Sequence, residues 1–112
     1  DKDEILKVAD RRKEVQRRAA EADQQIERLQ KELAAVQKYK KKTYENYVDG
    51  VLDKEEYLSY KAEYEQQDKA IREKIQLTEQ EKNSFGEAEE SYEIYQVWNI
   101  IRSNKRNRDR AD

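Results

Sequence analysis

The chain has 112 residues, 35% hydrophobic and 45% charged, with a formal net charge of −2. That allows one ordinary domain at most and too little apolar material for a thick globular core. The near balance of 24 basic and 26 acidic residues, together with eight Tyr, one Trp and no Pro, argues against disorder and for long helices that bury a narrow seam. Cysteine and histidine are absent, which removes disulfides, zinc centres and His-based acid–base catalysis. No Gly-rich phosphate loop or nucleophile-elbow Ser occurs, and the carboxylates are spaced as helix surface. The chain is therefore expected to have no catalytic residues, no metal and no cofactor. No apolar run approaches a membrane-spanning length and no signal peptide is visible. The chain begins at Asp1 and contains no Met, so a piece of a larger cytoplasmic protein is expected.

Residues 1 to about 48 carry a heptad stripe of Ile5, Val8, Arg12, Val15, Ala19, Ala22, Ile26, Leu29, Leu33 and Val36, spaced alternately three and four apart. This spacing suits a coiled-coil seam, and only Arg12 breaks it. The other faces are Glu, Lys, Arg and Gln, all good helix formers. Such a helix would be roughly 70 Å long and needs a partner for its stripe. Ala19 and Ala22 are read as small residues allowing close helix approach. Toward residue 48 the seam is expected to turn aromatic through Tyr39, Tyr44 and Tyr47.

At Asp49-Gly50 the helical pattern stops. Gly50 is suited to leave a helix in the left-handed conformation. Asp53 followed by Glu56 fits an N-cap with a capping box, and Leu52 with Tyr57 fits a hydrophobic staple. A connection as short as 49–53 makes the two helices antiparallel neighbours. The loop has a partial likeness to a calcium-binding loop, but that frame puts Tyr47 where a carboxylate is needed. Helix-turn chemistry explains the same residues.

A second helix is expected over about 54–83, with Tyr57, Tyr60 or Lys61, Tyr64, Asp68, Ile71, Ile75 and Thr78 near seam spacing. Folded back on the first helix, facing residue numbers should add to roughly 102, given so short a turn. That sets Leu29 against Ile71 or Lys74, Ile26 against Ile75, and Tyr44 near Leu58. Around Asn83-Ser84-Phe85-Gly86 the pattern breaks again. Ser84 with Glu87 reads as the cap of a third, amphipathic helix spanning 84–104. That segment holds Tyr92, Ile94, Tyr95, Val97, Trp98, Ile100 and Ile101, and is expected to bury a broad face. The register brings Trp98 to Ile5 and Ile94 to Val8, so the segment is expected to cap the open end of the hairpin. The alternative is self-association through Ile94, Trp98 and Ile101. Residues 105–112 read as a frayed, basic polar tail.

The fold class expected is thus all-α: a long antiparallel coiled-coil hairpin with a shorter C-terminal third helix. Residues 1–48 hold 13 basic and 10 acidic side chains, and residues 49–82 hold 6 and 10, a polarity suited to two helices that pair. Lys38, Lys40, Lys41 and Lys42 are the candidate phosphate contacts, although the neighbouring carboxylates favour solvated helix faces. The tip combines Tyr44, Tyr47, Val48, Val51, Leu52 and Tyr57 around Gly50, more apolar surface than a solvent-exposed turn requires. Exposed apolar residues on a small tip point to contact with a partner.

The run Tyr44-x-x-Tyr47-x-Asp49-Gly50-x-Leu52-x-x-Glu55-Glu56-Tyr57-x-x-x-Lys61-x-x-Tyr64-Glu65 resembles the coiled-coil region of large serine recombinases, the phage integrases and transposon recombinases of Gram-positive bacteria. The likeness covers roughly residues 26–82. It implies a hairpin projecting from a DNA-binding domain, whose tip meets the tip of another recombinase subunit and so helps set synapsis and the direction of recombination. It further implies a recombination directionality factor as a second partner, DNA contact through the parent protein, no membrane, and a cytoplasmic, bacterial or phage-encoded setting. The residues at stake would be Tyr44, Tyr47, Val48, Gly50, Val51, Leu52 and Tyr57. The chain departs from the family after residue 83, where no cysteine ribbon appears. A structural or adaptor coiled coil that docks partners through the aromatic third segment is the alternative. A nucleic-acid-binding hairpin using Lys38 to Lys42 is a further one.

Overall fold

A computed structural model describes residues 1–111. It is all-α, with two helices: α1, Lys2–Val48, and α2, Lys54–Ala111. The Asp1 carboxylate accepts from the Asp3 N–H, and Asp3 and Glu4 lie in the first turn of α1, where the helix dipole favours negative charge. Two compact units are present, one formed by Ala22–Gln80 and one by Asp1–Glu21 with the chain from Glu81 on.

In the Ala22–Gln80 unit the helices run antiparallel about a thin core. Leu29, Val36 and Ile71 are buried, with Leu33, Tyr64 and Ile75 packed against them. Leu29 and Ile71, expected near each other, thus share one buried cluster. The seam of α1 continues past Val36 through half-buried Lys40, buried Thr43 and half-buried Tyr47, keeping its alternation of four and three. Tyr39 and Tyr44, expected in the seam, flank it instead and are exposed, a consequence of lying one residue off that alternation. The seam of α2 takes Lys61 rather than Tyr60 for the same reason. Lys40 satisfies its charge by reaching Glu65 at 3.4 Å. Thr43 and Thr78 are buried because their hydroxyls donate to the carbonyls of Tyr39 and Lys74, each at 2.8 Å. Bonding back onto the preceding turn satisfies a hydroxyl inside a helix without a cross-helix partner.

The second unit is held differently. Among the described residues, none of its apolar side chains is buried; Val8, Val15 and Ala19 are half-buried. Arginines of α1 reach across instead. Arg11 makes a two-pronged contact with Glu89 at 2.6 and 3.3 Å, and its guanidinium lies 4.0 Å from the centre of the Tyr92 ring. Arg12 grips Glu93 at 2.5 and 3.3 Å, and Arg18 lies 4.9 Å from the centre of the Phe85 ring. Forked guanidinium–carboxylate geometry and stacking on rings are what Arg provides and Lys does not. Arg12, a flaw in an apolar stripe, is thus matched by an acidic residue on the facing helix, and Glu93 raises the Arg12 pKa. On α1 itself, Glu14 receives hydrogen bonds from Arg17 and Arg18, which push its carboxyl down to about 2. A carboxyl depressed in this way contributes stability above its ordinary value of 4.5 and loses it as the pH falls toward 2.

The expected third helix does not exist as a separate element. α2 runs unbroken through Asn83, Ser84 and Gly86, so Ser84 is an interior residue and not a cap. Gly86 has an ordinary helical φ, since only Gly50 is positive. Glycine costs a helix interior only about 1 kcal/mol, no proline follows, and the half-buried stripe of α2 keeps heptad spacing through Lys82, Glu89, Tyr92, Gln96 and Asn99. Those terms outweigh the local break signal. The tail expected to fray from residue 105 is likewise helical to Ala111; its last residue, Asp112, lies outside the described residues. Because a Cβ at Gly86 would meet no atom within 4 Å, Gly86→Ala should stabilise the chain by about 1 kcal/mol and raise its Tm by several degrees in a thermal melt.

Candidate interaction site at the hairpin tip

The turn between α1 and α2 is fixed by backbone hydrogen bonds at both helix ends. Gly50 has φ of 78°, the left-handed conformation expected of it. The Gly50 N–H donates to the Tyr47 carbonyl at 3.1 Å and the Val51 N–H to the Asn46 carbonyl at 2.8 Å. These two bonds constitute a Schellman motif and satisfy carbonyls that the helix end would otherwise leave open. Three residues on, α2 begins with a complete capping box. The Glu56 N–H donates to the Asp53 carboxylate at 2.8 Å, and the Asp53 N–H donates to the Glu56 carboxylate at 3.2 Å. Leu52 and Tyr57, the staple positions, are both half-buried. Asp53 and Glu56 therefore spend their oxygens on the backbone. No group of three or more Asp or Glu among the described residues is placed to hold a metal ion.

Behind the turn lies an aromatic layer. Tyr47 and Tyr57 stack with ring centres 4.6 Å apart, and Tyr44 meets Tyr57 edge-on at 6.1 Å. One layer further from the turn, Tyr39 stacks on Tyr64 at 6.3 Å. These arrangements are the favoured ones for aromatic pairs. They brace the turn from within, while its outer surface stays apolar. Val51 is 70% exposed, Val48 62% and Tyr44 54%. The apolar contact that often accompanies a Schellman motif is missing, because the residue facing Val51 in that motif is Asn46. Val48 and Val51 consequently project to solvent on a rigid support.

Of the residues singled out from sequence, Tyr44, Tyr47, Val48, Gly50, Val51, Leu52 and Tyr57 are brought together at this turn. Lys38, Lys41 and Lys42 border a shallow depression of about 300 Å³ shared with Tyr39 and Glu45. Lys40, the fourth member of that cluster, is drawn into the seam by Glu65. Ile94, Trp98 and Ile101 lie in the other unit and are all exposed, Trp98 by 57%. Trp98 and Ile94, expected against Ile5 and Val8, are not among the residues that line the groove with them. Val97 and Ile100 line a groove with Ile5 and Val8, while the half-buried positions of α2 there are Glu89, Tyr92, Glu93, Gln96, Asn99 and Ile100. Sequence reasoning missed Thr43 and Asn46. Thr43 was legible as the next seam position after Val36 and Lys40; the carbonyl role of Asn46 leaves no sequence signal.

No helix among the described residues is long and apolar enough to cross a membrane. Comparison of the chain with protein-family models, curated proteins and solved structures finds no match.

Proposed function

We propose that the chain is a non-catalytic protein-interaction hairpin whose tip docks on another protein subunit. The observation that carries this reading is the exposed pair Val48 and Val51 on a turn whose backbone is locked at both helix ends. A preorganised apolar tip binds without the entropic cost of ordering a loop. Its likeness to the serine recombinase coiled coil suggests the partner: the tip of a second such hairpin, in an assembly that selects which DNA sites synapse and in which direction they recombine. In that setting Tyr44, Tyr47 and Tyr57 support the contact, Val48, Val51 and Leu52 make it, and a directionality factor would compete for the same surface.

The test is sedimentation equilibrium of the chain with Val51→Asp or Leu52→Asp. Either change should weaken tip-mediated association at least about tenfold, as expected for a charge placed in a desolvated contact, with helicity unchanged by circular dichroism. Association that is indifferent to both substitutions would remove the tip from the interface. The adaptor reading gains its own support from the exposed side chains of Ile94, Trp98 and Ile101. It predicts instead that Trp98→Ala, and not a tip substitution, abolishes capture of a partner protein.

A further inference from the structure

The outer face of α2 beyond Gly86 carries an ordered sequence of side chains. Away from the half-buried stripe of Glu89, Tyr92, Gln96 and Asn99 stand Glu87, Glu90, Ile94, Val97, Trp98, Ile101, Lys105 and Arg108, with Glu87, Glu90 and Val97 at the edge that borders α1. All eight are exposed. At helical spacing they fall on one stripe, because successive members are three or four apart apart from the central Val97–Trp98 pair. The stripe is symmetric about the midpoint of that pair. Ile94 lies as far before it as Ile101 lies after it. Glu90 mirrors Lys105, and Glu87 mirrors Arg108. The apolar centre is thus flanked by two acids on one side and two bases on the other.

We infer that this face is a self-complementary interface for a second copy of the chain, paired antiparallel across a two-fold axis between Val97 and Trp98. In that arrangement Val97 meets the copy's Trp98, Ile94 meets its Ile101, and Glu90 and Glu87 meet its Lys105 and Arg108. An isologous contact demands this kind of symmetry, in which each residue type finds its complement by rotation. A parallel copy would set acid against acid and base against base, so the charges choose the orientation as well as the partner. None of the four charged residues makes an ion pair within the chain among the described residues, whereas Glu89 and Glu93, one turn of the face away, are engaged by Arg11 and Arg12. The division of labour is physical. Acids facing α1 hold the unit together, and acids on the outer stripe stay available.

The interface is independent of the tip, and its test keeps the two apart. Sedimentation equilibrium of the whole chain carrying Val51→Asp, which silences the tip, should still show a concentration-dependent dimer. Trp98→Ala should weaken that dimer at least about tenfold, as for a central aromatic anchor. Glu87→Lys with Glu90→Lys should weaken it about tenfold, since four pairs per dimer turn repulsive, and so should Lys105→Glu with Arg108→Glu. All four substitutions in one chain should restore it. Because these side chains are exposed, each variant should keep its helicity. A monomer at every concentration up to about 1 mM, the low end of specific association, overturns the inference and leaves the face to an unrelated partner or a lipid surface. A dimer that survives Trp98→Ala, or that the fourfold exchange fails to restore, overturns it equally.

Discussion

Replacing Ile71 by Ala should destabilise the Ala22–Gln80 unit by about 2 to 3 kcal/mol and lower its Tm by roughly 10 to 20 °C. Among the described residues the buried apolar side chains are Leu29 and Val36 from α1 and Ile71 from α2. Removing Ile71 opens a gap in the cluster it forms with Leu29 and Val36, against which Leu33, Tyr64 and Ile75 pack. The cost stays at the lower end of large-to-small substitutions because a two-helix seam is thin, and water or a shifted Tyr64 can partly refill the space. The better helix propensity of Ala returns a few tenths of a kcal/mol. Leu77→Ala is the control: Leu77 is exposed, so its loss should change stability by less than about 0.5 kcal/mol. Urea unfolding followed by circular dichroism measures both. Equal effects at the two positions would mean that Ile71 is not part of a core.

Gly50→Ala should destabilise by about 1 to 2 kcal/mol, the cost of holding an L-residue in the left-handed region. A Cβ there would touch nothing within 4 Å, so the penalty is wholly one of backbone conformation. Asn, which tolerates that conformation, should cost less than Ala, and a β-branched Val more. The Schellman bonds from Gly50 and Val51 depend on that φ, so the strained variants should also loosen the tip and weaken whatever it binds. The same substitution at Gly86 has the opposite expected sign. One glycine is needed for its φ, and the other is a tolerated residue in a continuous helix. Thermal melts of the two alanine variants, run side by side, test that contrast.

How much was legible follows from the kind of signal each feature leaves. The turn was readable because Gly50, Asp53 and Glu56 act locally, through backbone groups within five residues, and local capping chemistry is written in residue type. That Leu29 and Ile71 fall in one buried cluster was readable because a short turn leaves the facing helix little freedom. The continuity of α2 was not, because it is decided by contacts with α1. Ser84, Glu87 and Gly86 imitate a helix boundary, while Arg11, Arg12 and Arg18 hold Glu89, Glu93, Tyr92 and Phe85 from the facing helix. A hydrophobic count also misled at Ile94, Trp98 and Ile101. Their high apolar content pointed to burial, yet the half-buried positions there are Glu, Tyr, Gln and Asn with Ile100, and Ile94, Trp98 and Ile101 are exposed. A polar seam with a paired Arg12 is visible in sequence only once the facing residues are known.

The candidate site inherits the same division. The seven tip residues converge because the turn is local. That Val48 and Val51 remain open, while Tyr47 and Tyr57 close on each other, depends on the stagger of the two helix ends. The aromatic layer stiffens the support and the valines provide the surface, so Tyr47 and Val51 contribute to one property by different means.

A dilution series followed by amide NMR tests the tip proposal most directly. It is best run on the chain carrying Ile94→Asp and Ile101→Asp, so that the outer face of α2 does not contribute. A tip that docks on a second tip requires the signals of Val48, Gly50, Val51 and Leu52 to move together with concentration, while those of the Leu29, Val36 and Ile71 core stay fixed. Tip signals that remain unmoved across the whole series would contradict it.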